Sequence, residues 1–262
     1  MRLLREDGPL LRVGHRGAAA LALENTLRSF EAALACGVDA IEFDVLDLVD
    51  GPLVLAHSND LAEVSHGAMT GTVRDRSLAE LREVAPELPT LDEALAFLAD
   101  RPDVGVHVDL KLMTRLDELA ATLDRHGLAA RTVVSSFHLE SLRVIAARAP
   151  HIRIGFTYPE DRYGVARRPA LRPAIRLGII ALRQVFVARI PALVERTGAA
   201  ALMLQHAIVS TAAVDRAHAA GAAVWAWTVD DPIELARLEA AGVDAVITND
   251  PRLFLAVATL EA

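Results

Sequence analysis

The sequence predicts a (β/α)8 barrel, and three observations support this prediction. Eight short runs rich in valine, isoleucine and other apolar residues alternate with longer alanine- and leucine-rich runs at helical spacing. The length of 262 residues suits one large domain with a full core, so we expect a single barrel domain over residues 1–262. The main alternative, a doubly wound sheet, usually has a glycine-rich GxGxxG turn after its first strand, and no such turn occurs here.

Predicted helices follow nearly every predicted strand. Several begin with start signals: Thr90 precedes Leu91, Ser210 precedes Thr211, and Asp250 precedes a proline. The predicted strands are 11–14, 39–45, 104–110, 132–136, 152–156, 200–204, 223–229 and 244–248. The predicted helices are 24–36, 91–99, 114–126, 138–149, a longer region within 165–197, 210–220, 231–241 and 251–259.

Two regions exceed a minimal connection between barrel elements. Residues 46–90, after the second strand, contain the run DGPLVLAH, which predicts a β-ribbon insertion. Residues 157–198, between the fifth and sixth strands, predict an extra helical insertion and hold eight arginines against three acidic residues. This second region also carries an apolar patch over 177–181 and at 185–186. It is either a helix pair packed on the barrel or a basic amphipathic lid that contacts lipid or covers the site.

The composition excludes several classes of function. A net charge of −8 argues against general nucleic-acid binding, so we expect no nucleic-acid partner. The single cysteine, Cys36, cannot form an internal disulfide, and no apolar run is long enough for a signal peptide or a membrane span. We therefore expect a cytoplasmic protein, with peripheral membrane contact as an option through 157–198; the sequence leaves the oligomeric state open. Lys111 is the only lysine of the chain.

Acidic side chains lie where the predicted strands end, which is where a barrel places its active site. Glu42 and Asp44 are two residues apart on the second strand and share one face, and Asp109 lies on one face of the third strand. Three buried carboxylates are costly without a compensating charge. They are typical of a hard divalent ion, Mg²⁺ or Ca²⁺. The alternative is that these acids form salt bridges with Arg16 or Lys111.

Two histidines are candidates for acid–base catalysis because imidazole titrates near neutral pH. His15 lies between Gly14 and Arg16 just after the first strand, and His57 lies in the 46–90 insertion. Arg16 has the geometry to bind a phosphate with two hydrogen bonds. The remaining histidines that we assign to structural or surface positions are His66, His126, His138, His151 and His218.

These motifs together resemble the glycerophosphodiester phosphodiesterase family. The resemblance covers nearly the whole chain except 157–198, and the order HRG…ENT…ExD…H at these spacings is specific. Further shared motifs are Gly71-Thr72-Val73, Pro89-Thr90-Leu91, Asp109-x-Lys111, Trp227-Thr228-Val229, Gly242-Val243-Asp244 and Ile247-Thr248-Asn249-Asp250-Pro251.

The resemblance implies a (β/α)8 barrel that hydrolyses glycerophosphodiesters to glycerol 3-phosphate and an alcohol with one divalent metal ion. The metal carboxylates of the family fall on Glu42, Asp44 and Asp109, and its acid and base fall on His15 and His57 in an order that the sequence leaves open. By the same resemblance, Arg16 would contact the phosphate, Glu24 would join the glycerol and metal neighbourhood, Lys111 would lie beside the phosphate, and Trp227 would wall the glycerol pocket. The first nucleophile of the family is often taken to be the glycerol hydroxyl of the substrate itself.

The chain departs from the usual family pattern near the second histidine. Family members usually have aspartate directly after it, where Ser58 stands, and an Arg-Thr-Thr-like run where Glu63, Val64 and Ser65 stand. The acid of the third strand is commonly glutamate, and here it is Asp109.

Two further functions stay open at this point. A lysophospholipase D activity would keep the chemistry but act on lysophospholipids at a membrane surface, as the basic and apolar 157–198 region suggests. A non-catalytic barrel that binds a phosphodiester or a partner protein is the third hypothesis, and Ser58 and Asp109 motivate it.

Overall fold

Eight parallel strands form a closed barrel. The computed structural model describes residues 1–5, 8–160 and 172–258. The barrel closes because β1 (Leu11–Gly14) pairs with β2 (Ala40–Asp47) on one side and with β9 (Ala245–Thr248) on the other. The other barrel strands are β4 (Gly105–Leu110), β5 (Thr132–Ser136), β6 (Arg153–Tyr158), β7 (Ala201–Gln205) and β8 (Ala223–Trp227). The predicted barrel and its eight strands are confirmed.

The side chains of each barrel strand alternate between the helices and the barrel interior. On β4, Val106 and Val108 pack among the surrounding helices, whereas His107 and Asp109 face inward. The lower interior is apolar, and the buried Trp225 donates its indole N–H to the Leu3 carbonyl at 3.2 Å. Polar groups are therefore confined to the upper part of the barrel, where the strands end.

The helices form the outer layer. They are α1 (Leu27–Ala35), α4 (Leu91–Ala99), α5 (Leu116–Arg125), α6 (Leu139–Arg148), α7 (Arg172–Thr197), α8 (Thr211–Ala219), α9 (Pro232–Ala240) and α10 (Leu253–Ala258), with 3-10 turns at Ala129–Arg131 and His206–Ile208. The predicted N-caps Thr90 and Ser210 both accept a backbone N–H bond at the start of their helices. Helix α1 begins three residues later than predicted, because Thr26 is its N-cap and Asn25 has a left-handed backbone with φ of 57°.

The insertion after β2 brings a further segment to the barrel mouth. β3 (Leu53–Leu55) pairs antiparallel with the end of β2, which confirms the predicted β-ribbon. Two helices that the sequence analysis did not predict follow it, α2 (Leu61–Val64) and α3 (Leu78–Val84). This segment has its own small apolar core, which includes Leu48, Leu61 and Leu81. The core fixes the chain after β3, where His57 lies.

The arginine-rich region 157–198 supplies helix α7. Phe186, Ile190 and Val194 of this helix are buried in the main core, and the Phe186 ring stacks on Tyr158 with 4.8 Å between centroids. The side chains of the apolar run 177–181 lie outside the described part of the structure. The residues in which the second helix of a pair would lie are also outside it. In the parts of the chain that the structure covers, no helix is both long enough and apolar enough to cross a bilayer.

Candidate active site

A cavity of about 430 Å³ lies at the mouth of the barrel, where the parallel strands end. Most of the candidate side chains predicted from the sequence line it, although they come from distant parts of the chain. They are His15, Arg16, Glu42, Asp44, His57, Asp109, Lys111 and Trp227. Glu24 lines a smaller cavity next to the first, and His57 borders both.

His15 is fixed at the end of β1 by contacts on both sides of its ring. Its backbone N–H donates to the Thr248 carbonyl at 2.8 Å, and its Nδ1 lies 2.6 Å from Oδ1 of Asn249. Its Nε2 lies 3.9 Å from Oε2 of Glu42. Burial and the adjacent charge of Arg16 lower the pKa of the His15 imidazole to about 4, so the ring is neutral in this environment.

A carboxylate behind Asn249 sets the orientation of its amide. Asp230 accepts the Asn249 side-chain N–H at 2.6 Å and the Asn249 backbone N–H at 2.8 Å. The amide oxygen of Asn249 is therefore the atom that faces His15, which places a proton on Nδ1 of His15. The Nε2 of His15 is left as the acceptor toward the cavity.

The turn after His15 brings Arg16 back over the carboxylates. Arg16 and Gly17 have φ values of 51° and 85°, and a Cβ on Gly17 would lie 2.3 Å from Oγ of Ser29, so only glycine fits there. The Arg16 backbone N–H donates to Glu42 at 2.7 Å. The Arg16 guanidinium donates to Glu24 at 2.8 Å, and its Nε lies 3.1 Å from Oδ2 of Asp44. The candidate phosphate ligand is thus held by two carboxylates.

Lys111 lies between the two carboxylates that β2 and β4 place side by side. Asp44 and Asp109 are direct partners in the β2–β4 register. The Lys111 ammonium lies 2.9 Å from Oδ1 of Asp44 and also forms a short ion pair with Asp109. Ser135 donates to Oδ1 of Asp109 at 2.6 Å, which fixes this carboxylate from the neighbouring strand. Both salt bridges that the sequence offered as an alternative, to Arg16 and to Lys111, are therefore present.

These ion pairs outweigh the cost of burial. Burial alone would raise the pKa of the Asp44 carboxyl. The positive charges of Lys111 and Arg16 have the larger combined effect and hold this pKa well below its ordinary value. Burial likewise opposes charge on Lys111, but Asp109 and Asp44 raise the pKa of its ammonium above the ordinary value. Asp44, Arg16 and Lys111 are therefore charged at neutral pH.

Glu42 differs from the other two acids of the cluster. Burial and the charges of Asp44 and Asp109 raise the pKa of the Glu42 carboxyl well above its usual range. Among the described residues no Lys or Arg side chain forms an ion pair with it, and the His15 ring that lies 3.9 Å away is neutral. A hard cation beside Glu42 would relieve this excess of negative charge, so the chemistry of these oxygen donors fits Mg²⁺ or Ca²⁺. Within the described ranges, no three His, Cys, Asp or Glu side chains are already arranged to hold one ion.

His57 follows β3 and approaches the cavity from the insertion. Its Nδ1 lies 2.5 Å from Oε1 of Glu63, and Ser58 donates its hydroxyl to the other Glu63 oxygen at 2.8 Å. Trp227 ends β8 on the opposite side of the barrel. Its indole N–H donates to the Met203 carbonyl at 2.9 Å, and its ring meets Phe137 edge-on at 6.0 Å. Its ring therefore lines the cavity in a fixed position.

The sequence analysis gave no role to several residues that organise this site. Asn25 donates its side-chain N–H to Oδ2 of Asp44 at 2.8 Å, and its Oδ1 accepts the Asp44 backbone N–H at 3.0 Å. Asn25 and Asn249 lie within the motifs shared with the family, so the sequence did indicate that both positions matter. Glu63 stood out only as a departure from the family pattern. Ser135 offered no signal beyond its place at a strand end.

Comparisons with known proteins agree with the fold. The model of the glycerophosphoryl diester phosphodiesterase family matches residues 15–253. A glycerophosphodiester phosphodiesterase of Caldanaerobacter subterraneus subsp. tengcongensis is 28% identical over 261 residues, covering 94% of this chain and 96% of the relative. The crystal structure of a glycerophosphodiester phosphodiesterase from Thermotoga maritima has a TM-score of 0.71 at 25% identity, covering 95% and 98% of the two chains.

A phosphodiesterase from Oleispira antarctica, solved in complex with the product sn-glycerol-3-phosphate, has the same fold. Its TM-score is 0.73 at 24% identity, and the match covers 96% of this chain and 97% of that one. The family model and the Caldanaerobacter subterraneus relative favour the phosphodiesterase over the lysophospholipase D and the non-catalytic barrel. The chain belongs to the glycerophosphoryl diester phosphodiesterase family and is a hydrolase of glycerophosphodiesters.

Proposed function

We propose that this chain releases sn-glycerol 3-phosphate and an alcohol from its substrate with His15 and His57 as the acid–base pair. One observation carries this proposal: both imidazoles border one cavity, and each has its Nδ1 engaged by a hydrogen-bond partner. Each Nε2 is then available for proton transfer to a bound ligand. The product complex of the Oleispira antarctica phosphodiesterase supports glycerol 3-phosphate as the product.

The partners of the two histidines support different roles. The neutral amide of Asn249 holds His15 with Nε2 as an acceptor, which suits a base that takes the proton of the attacking hydroxyl. The carboxylate of Glu63 faces Nδ1 of His57 and can balance positive charge on the ring, which suits an acid. With the glycerol hydroxyl of the substrate as the nucleophile, His57 would give its proton to the alkoxide oxygen as the phosphorus–oxygen bond to the leaving alcohol breaks and a cyclic phosphate forms. Water would then open the cyclic phosphate to glycerol 3-phosphate.

Positive charge around the phosphodiester is the second part of the proposal. Arg16 and Lys111 lie on the same side of the cavity as the three carboxylates and would bind the phosphoryl oxygens. Members of this family generally depend on a divalent metal. We propose Glu42, Asp44 and Asp109 as the carboxylates that would hold such an ion, with Mg²⁺ and Ca²⁺ as the candidates. When bound, the ion supplies charge that stabilises the phosphoryl oxygens.

Release of glycerol 3-phosphate from glycerophosphocholine is expected to require a divalent ion. We expect turnover with Mg²⁺ or Ca²⁺ and its loss in EDTA, because the carboxylate cluster repels a phosphodiester without a compensating cation. Lysophosphatidylcholine serves as the parallel substrate. Full activity in EDTA would contradict the metal assignment, and choline release from the lysolipid alone would favour the lysophospholipase D alternative.

Substitution of Glu42 with glutamine is expected to weaken binding of the metal by about 10-fold or more, because a charged oxygen ligand is lost. Glutamine keeps the size of the side chain and can still accept the Arg16 N–H bond. Isothermal titration with Mg²⁺ and with Ca²⁺ measures the change. Glu87→Gln, on the insertion and outside the main cavity, is the control. Unchanged affinity in Glu42→Gln would remove this residue from the metal site.

We also propose a cytoplasmic setting, supported by Cys36, a buried free thiol in a chain without a second cysteine. The arginine excess of 157–198 supports contact with an anionic membrane surface as a further proposal. Sedimentation with anionic liposomes at low salt tests this contact. Absence of binding under those conditions would exclude it.

A further inference from the structure

The His57 ring is held from its side away from the catalytic cavity. Glu63 accepts from Nδ1 of His57 at 2.5 Å, and this is the one ion pair of Glu63 among the described residues. Both side chains are partly buried, with 27% and 33% of their surface exposed. A contact of this length between a carboxylate and an imidazole fixes the direction of the ring.

The backbone around Glu63 makes this contact rigid. Glu63 lies on α2, whose first turn is capped by Asp60 through a 2.9 Å bond from the Ala62 N–H. Leu61, on the same turn, is buried in the core of the insertion. Helix α2 is thus anchored immediately before Glu63 by its N-cap and by a buried side chain.

A second hydrogen bond holds the Glu63 carboxylate in its orientation. Ser58 donates its hydroxyl to Oε2 of Glu63 at 2.8 Å while Oε1 receives His57. Partial burial alone would favour the neutral acid, but the bonds from His57 and Ser58 lower the pKa of the Glu63 carboxyl. The group next to His57 is therefore a carboxylate with both oxygens engaged.

We propose that Glu63 is a positioning residue that acts on the reaction through His57, with Ser58 as its support. Glu63 keeps the proton of His57 on Nδ1, turns Nε2 toward the cavity and stabilises the imidazolium form. This inference rests on the proposed role of His57 as the acid. It assigns to this chain a Ser58–Glu63–His57 series that the family motifs do not contain.

Other charges face His57 and enter any pH dependence. Asp44 and Arg16 lie across the cavity and interact electrostatically with His57 and Glu63, respectively. Glu24 borders the adjoining small cavity beside His57. A substitution at position 63 leaves Asp44 and Glu24 in place, and Arg16, which interacts with Glu63, stays charged throughout the working pH range. A change in the pH profile on that substitution therefore reports the His57–Glu63 contact.

Glu63→Gln is the central test because glutamine preserves shape and hydrogen bonding but removes the charge. We expect kcat for glycerophosphocholine to fall about 10- to 100-fold with little change in KM, as for supporting residues elsewhere. The limb of the pH–rate profile governed by His57 is expected to move to lower pH, since the imidazolium loses its carboxylate. Glu63→Asp should recover part of the rate. Glu87→Gln, an acid of the same insertion without a contact to His57, is the matched control.

A double-substitution cycle separates positioning from an independent effect. His57→Ala with Glu63→Gln is expected to be no slower than His57→Ala alone, because Glu63 has nothing left to position. Multiplied losses in the double variant would overturn the inference. A normal kcat and pH profile in Glu63→Gln, with His57→Ala inactive, would overturn it while leaving the proposed function intact. Retained activity in His57→Ala would instead overturn the proposed role of His57.

Ser58→Ala keeps the test decisive if a variant at position 63 does not fold. It removes one hydrogen bond to Glu63 at a partly exposed site, so the fold should persist. We expect a several-fold loss of kcat and a pH shift in the same direction as in Glu63→Gln. Thermal melting and near-ultraviolet circular dichroism verify the fold, and an unchanged profile in a folded Ser58→Ala variant would contradict the series.

Discussion

Substitution of either His15 or His57 with alanine is expected to lower kcat for glycerophosphocholine at least ~100-fold, the scale of losing an acid–base group. The two losses should differ once the leaving group no longer needs a proton. With a p-nitrophenyl ester of glycerol 3-phosphate, His57→Ala should recover most of its rate, because p-nitrophenolate departs without an acid. His15→Ala should stay slow on both substrates, since the attacking hydroxyl still needs its base.

Steady-state kinetics on the two substrates measures this difference. His151→Ala is the control. His151 is an exposed histidine that pairs with Asp124 at 2.8 Å and does not line the cavity. Circular dichroism verifies that each variant is folded. Near-normal turnover in a folded His15→Ala variant would mean that the site is misplaced, and the reverse substrate pattern would exchange the two roles.

The barrel was predictable because its signals are local. Period-two alternation on the third barrel strand places Val106 and Val108 outward and Asp109 inward, and the structure has the same arrangement. The same alternation put Glu42 and Asp44 on one face. The start of α1 was less predictable, since the helical pattern runs through Asn25, and only the left-handed turn there excludes it from the helix.

The contacts that orient the site were not predictable, because no periodicity links their members. His15 and Asn249 are 234 positions apart and meet only because β1 and β9 close the barrel. Glu63 reaches His57 through a four-residue helix that is too short to have a hydrophobic pattern. Sequence patterns thus identified the groups at the cavity, while the groups behind them needed coordinates.

Replacement of Lys111 with methionine is expected to remove activity and to lower the free energy of unfolding at neutral pH by about 3 to 5 kcal/mol. Methionine keeps the length of the side chain but leaves Asp44 and Asp109 buried beside each other without the ammonium that joins them. Lys111→Arg, which keeps the charge, is the matched control and should lose much less stability. Urea unfolding in EDTA measures the effect without a metal ion that would restore positive charge.

The pH dependence of this deficit identifies its cause. In the wild-type chain Lys111 and Arg16 hold the pKa of the Asp44 carboxyl low in the folded state, so this contribution to stability is lost as the pH falls below ordinary aspartate values. In Lys111→Met, Asp44 keeps Arg16 as its remaining ion-pair partner and Asp109 has lost its ammonium, so protonation at lower pH relieves the excess of buried negative charge. The stability difference between wild type and variant should therefore shrink from pH 7 toward pH 4. A constant difference over that range would mean that lost packing, and not unpaired charge, destabilises the variant.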